Sequence, residues 1–342
     1  MVKDTQLAHA AFEAGQAAFN TGDYASAEAH FTRALQADPD HAEAHQWSAG
    51  VAIREGRLRD AVARLEAACT LSPENVQFHA DAALTYSRLG DAGAALRHAE
   101  KTVSLAPRAL PAHHLLAGIS LPGPHYLEVI TTIHAQLRPR TYLEIGVDTG
   151  QSIALARPET RAIGIDPEPR VAAPLGPHVA IRATTSDAYF EHHDVWGDLR
   201  GMPIDLSFID GMHQFEFALR DFINVEKYCS ARSTILIHDC YPLTRLTAER
   251  ERQTEFWSGD IWRLILILRK YRPDLSVHVI AAPPTGLGMV RNLDPSSTVL
   301  AEKYADIVRE YLALDYSALD ADKPGMLALH PNEWDRVKAL LA

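Results

Sequence analysis

The spacing of hydrophobic residues changes once along this chain, and the change divides it. Through roughly the first third they recur at helical intervals, as in Phe31, Ala34 and Leu35 and again in Leu65, Ala68 and Cys69. From Thr141 onward, short β-rich runs alternate with amphipathic helical ones. The runs predict strands over 141–146, 161–166, 178–183, 204–209 and 233–238, followed by two more over 276–281 and 288–292. Strand and helix in alternation build a parallel sheet covered on both faces. The last two runs are separated only by Ala282-Pro-Pro-Thr-Gly286, which favours a hairpin and makes at least one strand antiparallel. Helices are expected over 110–121, 126–137 and 260–271. The tail, 295–342, reads as two or three more, with Trp334 anchoring the last.

Within the helical third one period dominates. Gly22, Gly56 and Gly90 recur every 34 residues, and so do Ala27, Ala61 and Ala95, and Pro39, Pro73 and Pro107. The glycine turns the chain between two antiparallel helices, the alanine lets them approach, and the proline stops the second helix. The pattern resembles tetratricopeptide repeats over about residues 5 to 109, in three copies. Residues 110–121 would then close the apolar end of the stack. The resemblance implies a surface for a protein partner or for self-association, and the sequence does not choose between them.

Gly123-Pro124 marks the junction to the second part. Its first strand runs Leu143-Glu-Ile-Gly146-Val-Asp-Thr-Gly150-Gln-Ser into a glycine turn and the start of a helix, where backbone can approach a ligand closely. The second strand ends in Asp166, placed to accept hydrogen bonds from ribose hydroxyls. After the third come Ser186 and Asp187, candidates for the adenine side, with Asp187 equally readable as a helix N-cap.

Here the chain looks like the class I methyltransferases, in the branch whose fourth strand ends in Asp-Gly-x-His, over about residues 125 to 293. The resemblance implies a Rossmann-like domain, mostly parallel with a C-terminal antiparallel hairpin, that binds S-adenosylmethionine through Glu144, Gly146, Gly150 and Asp166. One position departs from the pattern: Asp148 stands where the middle glycine is usual, and its charge would repel a nucleotide diphosphate. The organisation expected is 1–122 for the repeats and capping helix, 123–294 for the methyltransferase domain and 295–342 for a helical extension.

The candidate chemistry lies at the ends of strands four and five. Ile209 runs into Asp210-Gly-Met-His213, and Ile237 into His238-Asp239. Adjacent parallel strands bring these four residues together at the carboxyl edge, where open α/β sheets bind ligands. A hydroxyl acceptor needs a base with a pKa near 7, and His213 is the candidate. Asp210 and Asp239 offer hard oxygens to magnesium or another divalent cation. The pattern is similar to metal-dependent sugar O-methyltransferases of macrolide pathways. That likeness implies Asp210 and Asp239 as metal ligands, His213 as base, and a small-molecule substrate. His238 fits either an outer position or a site leaning towards manganese or zinc. Trp257 and Phe256, in the long connection 241–259, read as aromatics that could stack on a substrate, or, as the alternative, Trp257 reads with Trp262 as core. His192-His193 reads as surface.

Composition narrows the field further. The 342 residues carry 33 basic and 44 acidic side chains, a formal net of −11, with no dense basic cluster, so no nucleic-acid partner is expected. The mixed run Arg245 to Arg252 reads as a solvated loop. Cys69, Cys229 and Cys240 form neither a disulfide framework nor a metal knuckle, and no segment reads as a signal peptide or membrane span. The expected setting is cytoplasmic. Two functions remain: a small-molecule methyltransferase, or a non-catalytic repeat scaffold with a cofactor-sensing Rossmann-like domain.

Overall fold

The computed structural model describes residues 3–341 and separates into two compact units, Met1–Ser120 and Leu121–Ala342. The first unit is a helical repeat array. Helices α1 (Thr5–Asn20) and α2 (Tyr24–Ala37), α3 (Ala42–Arg54) and α4 (Leu58–Leu71), and α5 (Val76–Leu89) and α6 (Ala92–Leu105) form successive pairs, followed by α7 (Leu110–Ser120). Local sequence sets their ends. Asp4, Asp23 and Asp91 cap α1, α2 and α6 by accepting the amides of Leu7, Ser26 and Ala94. Gly22, Gly56 and Gly90 have φ of +82°, +77° and +86°, with nothing within 4 Å of an added Cβ. The handedness of the turn, not crowding, therefore calls for glycine there. Ala27, Ala61 and Ala95 are completely buried. A fourth mark of the same period, absent from the sequence reading, is His45, His79 and His113. Each faces the carbonyl of Pro39, Pro73 or Pro107, at 2.9, 3.0 and 2.9 Å.

The second unit begins with α8 (Tyr126–Leu137). Its strands are β1 (Thr141–Ile145), β2 (Arg161–Ile165), β3 (Val179–Arg182), β4 (Ile204–Ile209), β5 (Cys229–Ile237), β6 (Ser276–Ile280), β7 (Leu287–Arg291) and β8 (Leu329–His330). They form one sheet in the order β3-β2-β1-β4-β5-β7-β6-β8. Strands β1 to β5 are parallel, and β7 runs antiparallel to both β5 and β6, which is the expected hairpin. The remaining helices are α9 (Ser186–His192), α10 (Val195–Asp198), α11 (Phe215–Glu226), α12 (Trp262–Tyr271), α13 (Val299–Glu302), α14 (Tyr304–Leu312), α15 (Lys323–Met326) and α16 (Trp334–Leu340).

Alternation along the strands assigns the faces. Tyr142, Phe208, Leu236 and Met289 share a core with Val129, Ile130 and Ile133 of α8 and Val337 of α16, and Trp334 packs against it. Helices α11 and α12 pack together, α11 on β4 and β5 and α12 on β6. The tail, read as helices, also carries β8, which pairs parallel with β6. Among the described residues no helix is long and apolar enough to cross a membrane.

Candidate functional site

At the carboxyl end of β1 the backbone is bare. Gly146 has φ +86°, and a Cβ there would sit 1.9 Å from the Asp210 carbonyl oxygen, so strands β1 and β4 close up only over glycine. Asp148 adopts φ +42°, the left-handed conformation that a glycine in its place would take, and pairs with Arg170 at 2.5 Å. Gly150 follows at φ +83°. The expected helix after this turn is only a single 3₁₀ turn, Ile153–Leu155. Pro158 lies just beyond, where it disfavours helix at Arg157 and lacks an amide of its own. The glycine turn therefore leads into that single 3₁₀ turn rather than into a long helix.

Asp166, at the end of β2, accepts the amides of Val147 and Asp148 at 2.9 Å each and that of Glu168 at 2.7 Å. It shapes the glycine turn while bordering the same cavity. Glu144 lies behind the turn and is fully buried. Its carboxyl accepts the Tyr142 hydroxyl at 2.5 Å and the Ser152 hydroxyl at 2.7 Å. Burial pushes it up to about 8 against those hydrogen bonds.

Ser186 and Asp187 open α9, but the cap is Thr185, whose hydroxyl accepts the Ala188 amide; the capping alternative for Asp187 is thereby corrected. Asp187 instead pairs with Arg220 at 2.7 Å. Beside Ser186 stands Asp221 of α11, 3% exposed, whose carboxyl burial pushes up to about 7 while a hydrogen bond from Ser186 pulls it down. Sequence reasoning missed it, although an acid on the apolar stripe of Ala218, Leu219, Phe222 and Val225 was a visible signal.

The four residues expected at strands β4 and β5 do meet. Ile209 and Ile237 are paired in register, so Asp210 and His238 leave the sheet side by side. Asp239 has φ +61° and is 3% exposed. One of its oxygens lies 2.7 Å from His213 Nδ1 and the other 3.3 Å from His238 Nδ1, which is also 3.3 Å from Asp210 Oδ1. Burial opposes charge on both imidazoles, but the Asp239 and Asp210 carboxylates outweigh it and hold both above the ordinary histidine value. Burial likewise opposes ionisation of Asp239, and the two histidines hold it well below the carboxylate range. Donor atoms of Asp210, His213 and Asp239 lie within 4.8 Å of one another, and the two carboxylates among them offer the hard oxygens a divalent cation takes.

The connection 241–259 closes over this cluster. Trp257 stacks on His213 with ring centroids 4.8 Å apart and planes at 18°, while Phe256 and Trp262 are core. Gly259 has φ +60° and touches the His213 backbone so closely that a Cβ would lie 1.8 Å from its carbonyl oxygen. The run read as a solvated loop is in part an anchor: Arg250 bridges Glu216 and buried Asp260, at 2.5 and 2.6 Å. His192 and His193 are exposed, as expected. A cavity of about 770 Å³ takes in Gly146, Asp166, Ser186, Asp187, Asp210 and His213 together. Tyr126, not anticipated, also lines it, its ring 4.3 Å from that of His238.

Comparison with known proteins agrees at the level of families. A family described as a methyltransferase domain matches residues 143–240, and one described as a tetratricopeptide repeat matches 12–76. Among solved structures, the chain is similar to the first TPR of Spaghetti (RPAP3) bound to HSP90 peptide SRMEEVD. The identity is 23% over 34% of this chain and 94% of that one, with a TM-score of 0.34. For the first TPR domain of human RPAP3 the identity is 22%, the coverage 34% and 91%, and the TM-score 0.33. For a crystal structure of MamA they are 19%, 34% and 68%, and 0.32. No curated protein matches the chain. The chain joins a tetratricopeptide-repeat region to a methyltransferase domain. That domain is of the class I, S-adenosylmethionine type.

Proposed function

We propose that the second unit transfers a methyl group from S-adenosylmethionine to a hydroxyl of a sugar, glycoside or other natural product, with His213 as general base. One observation carries the reading. His213, 2.7 Å from buried Asp239, lines the same cavity as Gly146 and Asp166. The cavity has the volume of a small-molecule site. Gly146 borders that cavity, and its missing Cβ lets the end of β4 that carries Asp210 close up beside it.

S-adenosylmethionine, when bound, supplies an electrophilic methyl carbon on a sulfonium. In this reading Asp166 takes the ribose hydroxyls, Ser186 and Asp187 border the adenine, and Gly146 and Gly150 permit close approach. Glu144 holds the turn from behind through Ser152. With Nδ1 facing Asp239, His213 has Nε2 left to take the proton of the acceptor hydroxyl, and Asp239 stabilises the resulting imidazolium. Trp257 covers the imidazole, and its indole N–H donates to the Glu249 carbonyl at 2.6 Å, which fixes the plane of the lid. A divalent cation, magnesium or another, would be held by Asp210 and Asp239 and would lower the pKa of the acceptor hydroxyl.

Purified protein incubated with S-adenosylmethionine and panels of hydroxyl and amine acceptors should add one methyl to a hydroxyl compound, read by mass spectrometry. Turnover that survives metal stripping removes the cation. Cofactor binding by calorimetry with no transfer to any acceptor replaces the enzyme with the scaffold reading. For the first unit we propose docking of a protein segment along a groove lined by Gln46, Arg54, Asp81 and Arg88. Light scattering separates a second copy from a foreign partner as its occupant.

A further inference from the structure

Three successive helices of the first unit bring together Cys69 of α4, His79 of α5 and His98 of α6, with one donor atom of each within 4.8 Å of the others. The Nδ1 nitrogens of His79 and His98 are 3.0 Å apart. The outer nitrogens decide where the protons are. His79 Nε2 faces the Pro73 carbonyl at 3.0 Å, and a carbonyl only accepts. His45 and His113 make the same contact with Pro39 and Pro107, so this ring setting recurs through the array. His98 Nε2 faces Glu66 Oε1 at 3.2 Å, an oxygen that also accepts the Tyr86 hydroxyl at 2.7 Å. Both outer nitrogens are therefore the N–H ends. Two neutral rings so held aim lone pairs at each other across 3.0 Å, which is repulsive unless a cation joins them.

We propose that Cys69 Sγ, His79 Nδ1 and His98 Nδ1 bind one zinc-type divalent ion. One thiolate and two imidazoles suit a borderline-soft ion, and three protein ligands leave a fourth position to water. A carbonyl and a carboxylate accepting the far N–H of each histidine form the outer shell that orients such ligands. In a tetrahedral zinc site neighbouring donors stand about 3.3–3.7 Å apart, so the trio reaches it with shifts on the order of 1 Å. Binding forms a zinc–sulfur bond and releases the thiol proton to solvent.

The preceding helix pair provides an internal control. Thirty-four residues earlier the same positions hold Leu35, His45 and Arg64. The imidazole recurs there without its co-ligands, and His45 Nδ1 has no hydrogen-bond partner. Position 103, the counterpart of Cys69 in the next pair, is valine. The carbonyl contact is thus common to the array, whereas the ligand set belongs to one place in it.

Metal-free full-length protein should take up Co²⁺ with a thiolate-to-cobalt charge-transfer band at one equivalent, and Zn²⁺ should displace it. Cys69→Val, the side chain that position 103 carries, should abolish the band and weaken Zn²⁺ binding more than Glu66→Gln does. Glu66→Gln should cost about ten- to a hundredfold by freeing His98. The D210N/D239N double variant should keep the band, since it leaves the first unit intact. Circular dichroism checks that each variant folds, and His98→Arg, the side chain present at position 64, replaces Cys69→Val if that variant does not. A wild type without the band, or a band that survives the loss of Cys69 or His98, overturns the proposal; in the first case the histidines share a proton instead.

Discussion

Both units bring two histidines together, and they settle the imidazoles in opposite ways. In the methyltransferase unit carboxylates stand between the rings: Asp239 reaches His213 at 2.7 Å and His238 at 3.3 Å, and Asp210 meets His238 at 3.3 Å. Burial works against charge there, yet the carboxylates win and both rings titrate above their ordinary value. In the helical unit the carboxylate stands outside, at the far nitrogen of His98, and the inner nitrogens face each other. Burial there holds His79 below its ordinary value. An imidazole ringed by carboxylates can carry a proton, whereas one whose N–H is held by a carbonyl presents a lone pair. The first environment suits proton transfer and the second suits ligation.

Removing the charge from the first environment has the largest expected effect. Asp239→Asn keeps the shape of the side chain but loses the anion, and turnover of the proposed reaction should fall by about 10²–10⁴. The sign of the pH dependence follows. His213 accepts a proton only when neutral, and its pKa is raised, so kcat/KM should climb with pH through a limb above 6.5. In Asp239→Asn that limb should move down, because burial is then less opposed. The limb belongs to the coupled group of His213, Asp239 and His238 rather than to one residue. A limb that stays put would remove Asp239 from the proton account.

Glu144 sharpens the comparison from the other side, as a buried carboxyl whose side-chain partners are two hydroxyls and which also accepts the Ile153 amide. Burial pushes it up to about 8 from an ordinary value of 4.5. Below 4.5 both folded and unfolded chains hold this proton, and nothing is lost. Between 4.5 and about 8 the folded chain keeps a proton the unfolded chain has released, so stability falls as pH rises. The total is on the order of a few kcal/mol. Denaturant midpoints measured across that window should slope downward in the wild type and flatten in Glu144→Gln.

What could be read in advance follows the reach of each interaction. The 34-residue marks are local, and the helices they delimit end two residues before Pro39, Pro73 and Pro107. The strand ends at Ile209 and Ile237 were legible because apolar runs stop abruptly at acids and histidines. The two-residue strand β8 has no period to detect, and its partner β6 lies far back in the chain. The shortened helix after Gly150 could have been foreseen from Pro158. Arg250 lies in the run read as a solvated loop, because only folding brings that run to Glu216 of α11 and to Asp260. His79 belongs to a readable period, but Cys69 and His98 reach it through the packing of α4, α5 and α6.

The smallest predicted effect tests the comparison within the helical unit itself. His45 and His79 make the same contact with a prolyl carbonyl, at 2.9 and 3.0 Å, yet only His79 also meets a second imidazole. His45→Ala loses one hydrogen bond and also removes a buried Nδ1 that has no partner. Its net cost should be about 1 kcal/mol, a few degrees in the thermal midpoint. His79→Ala loses the equivalent bond and strands His98 Nδ1 beside Cys69, so in zinc-loaded protein it should lose more, and in chelator-treated protein the two variants should converge. Equal losses with zinc present would mean that the contact between His79 and His98 contributes nothing beyond the shared carbonyl bond.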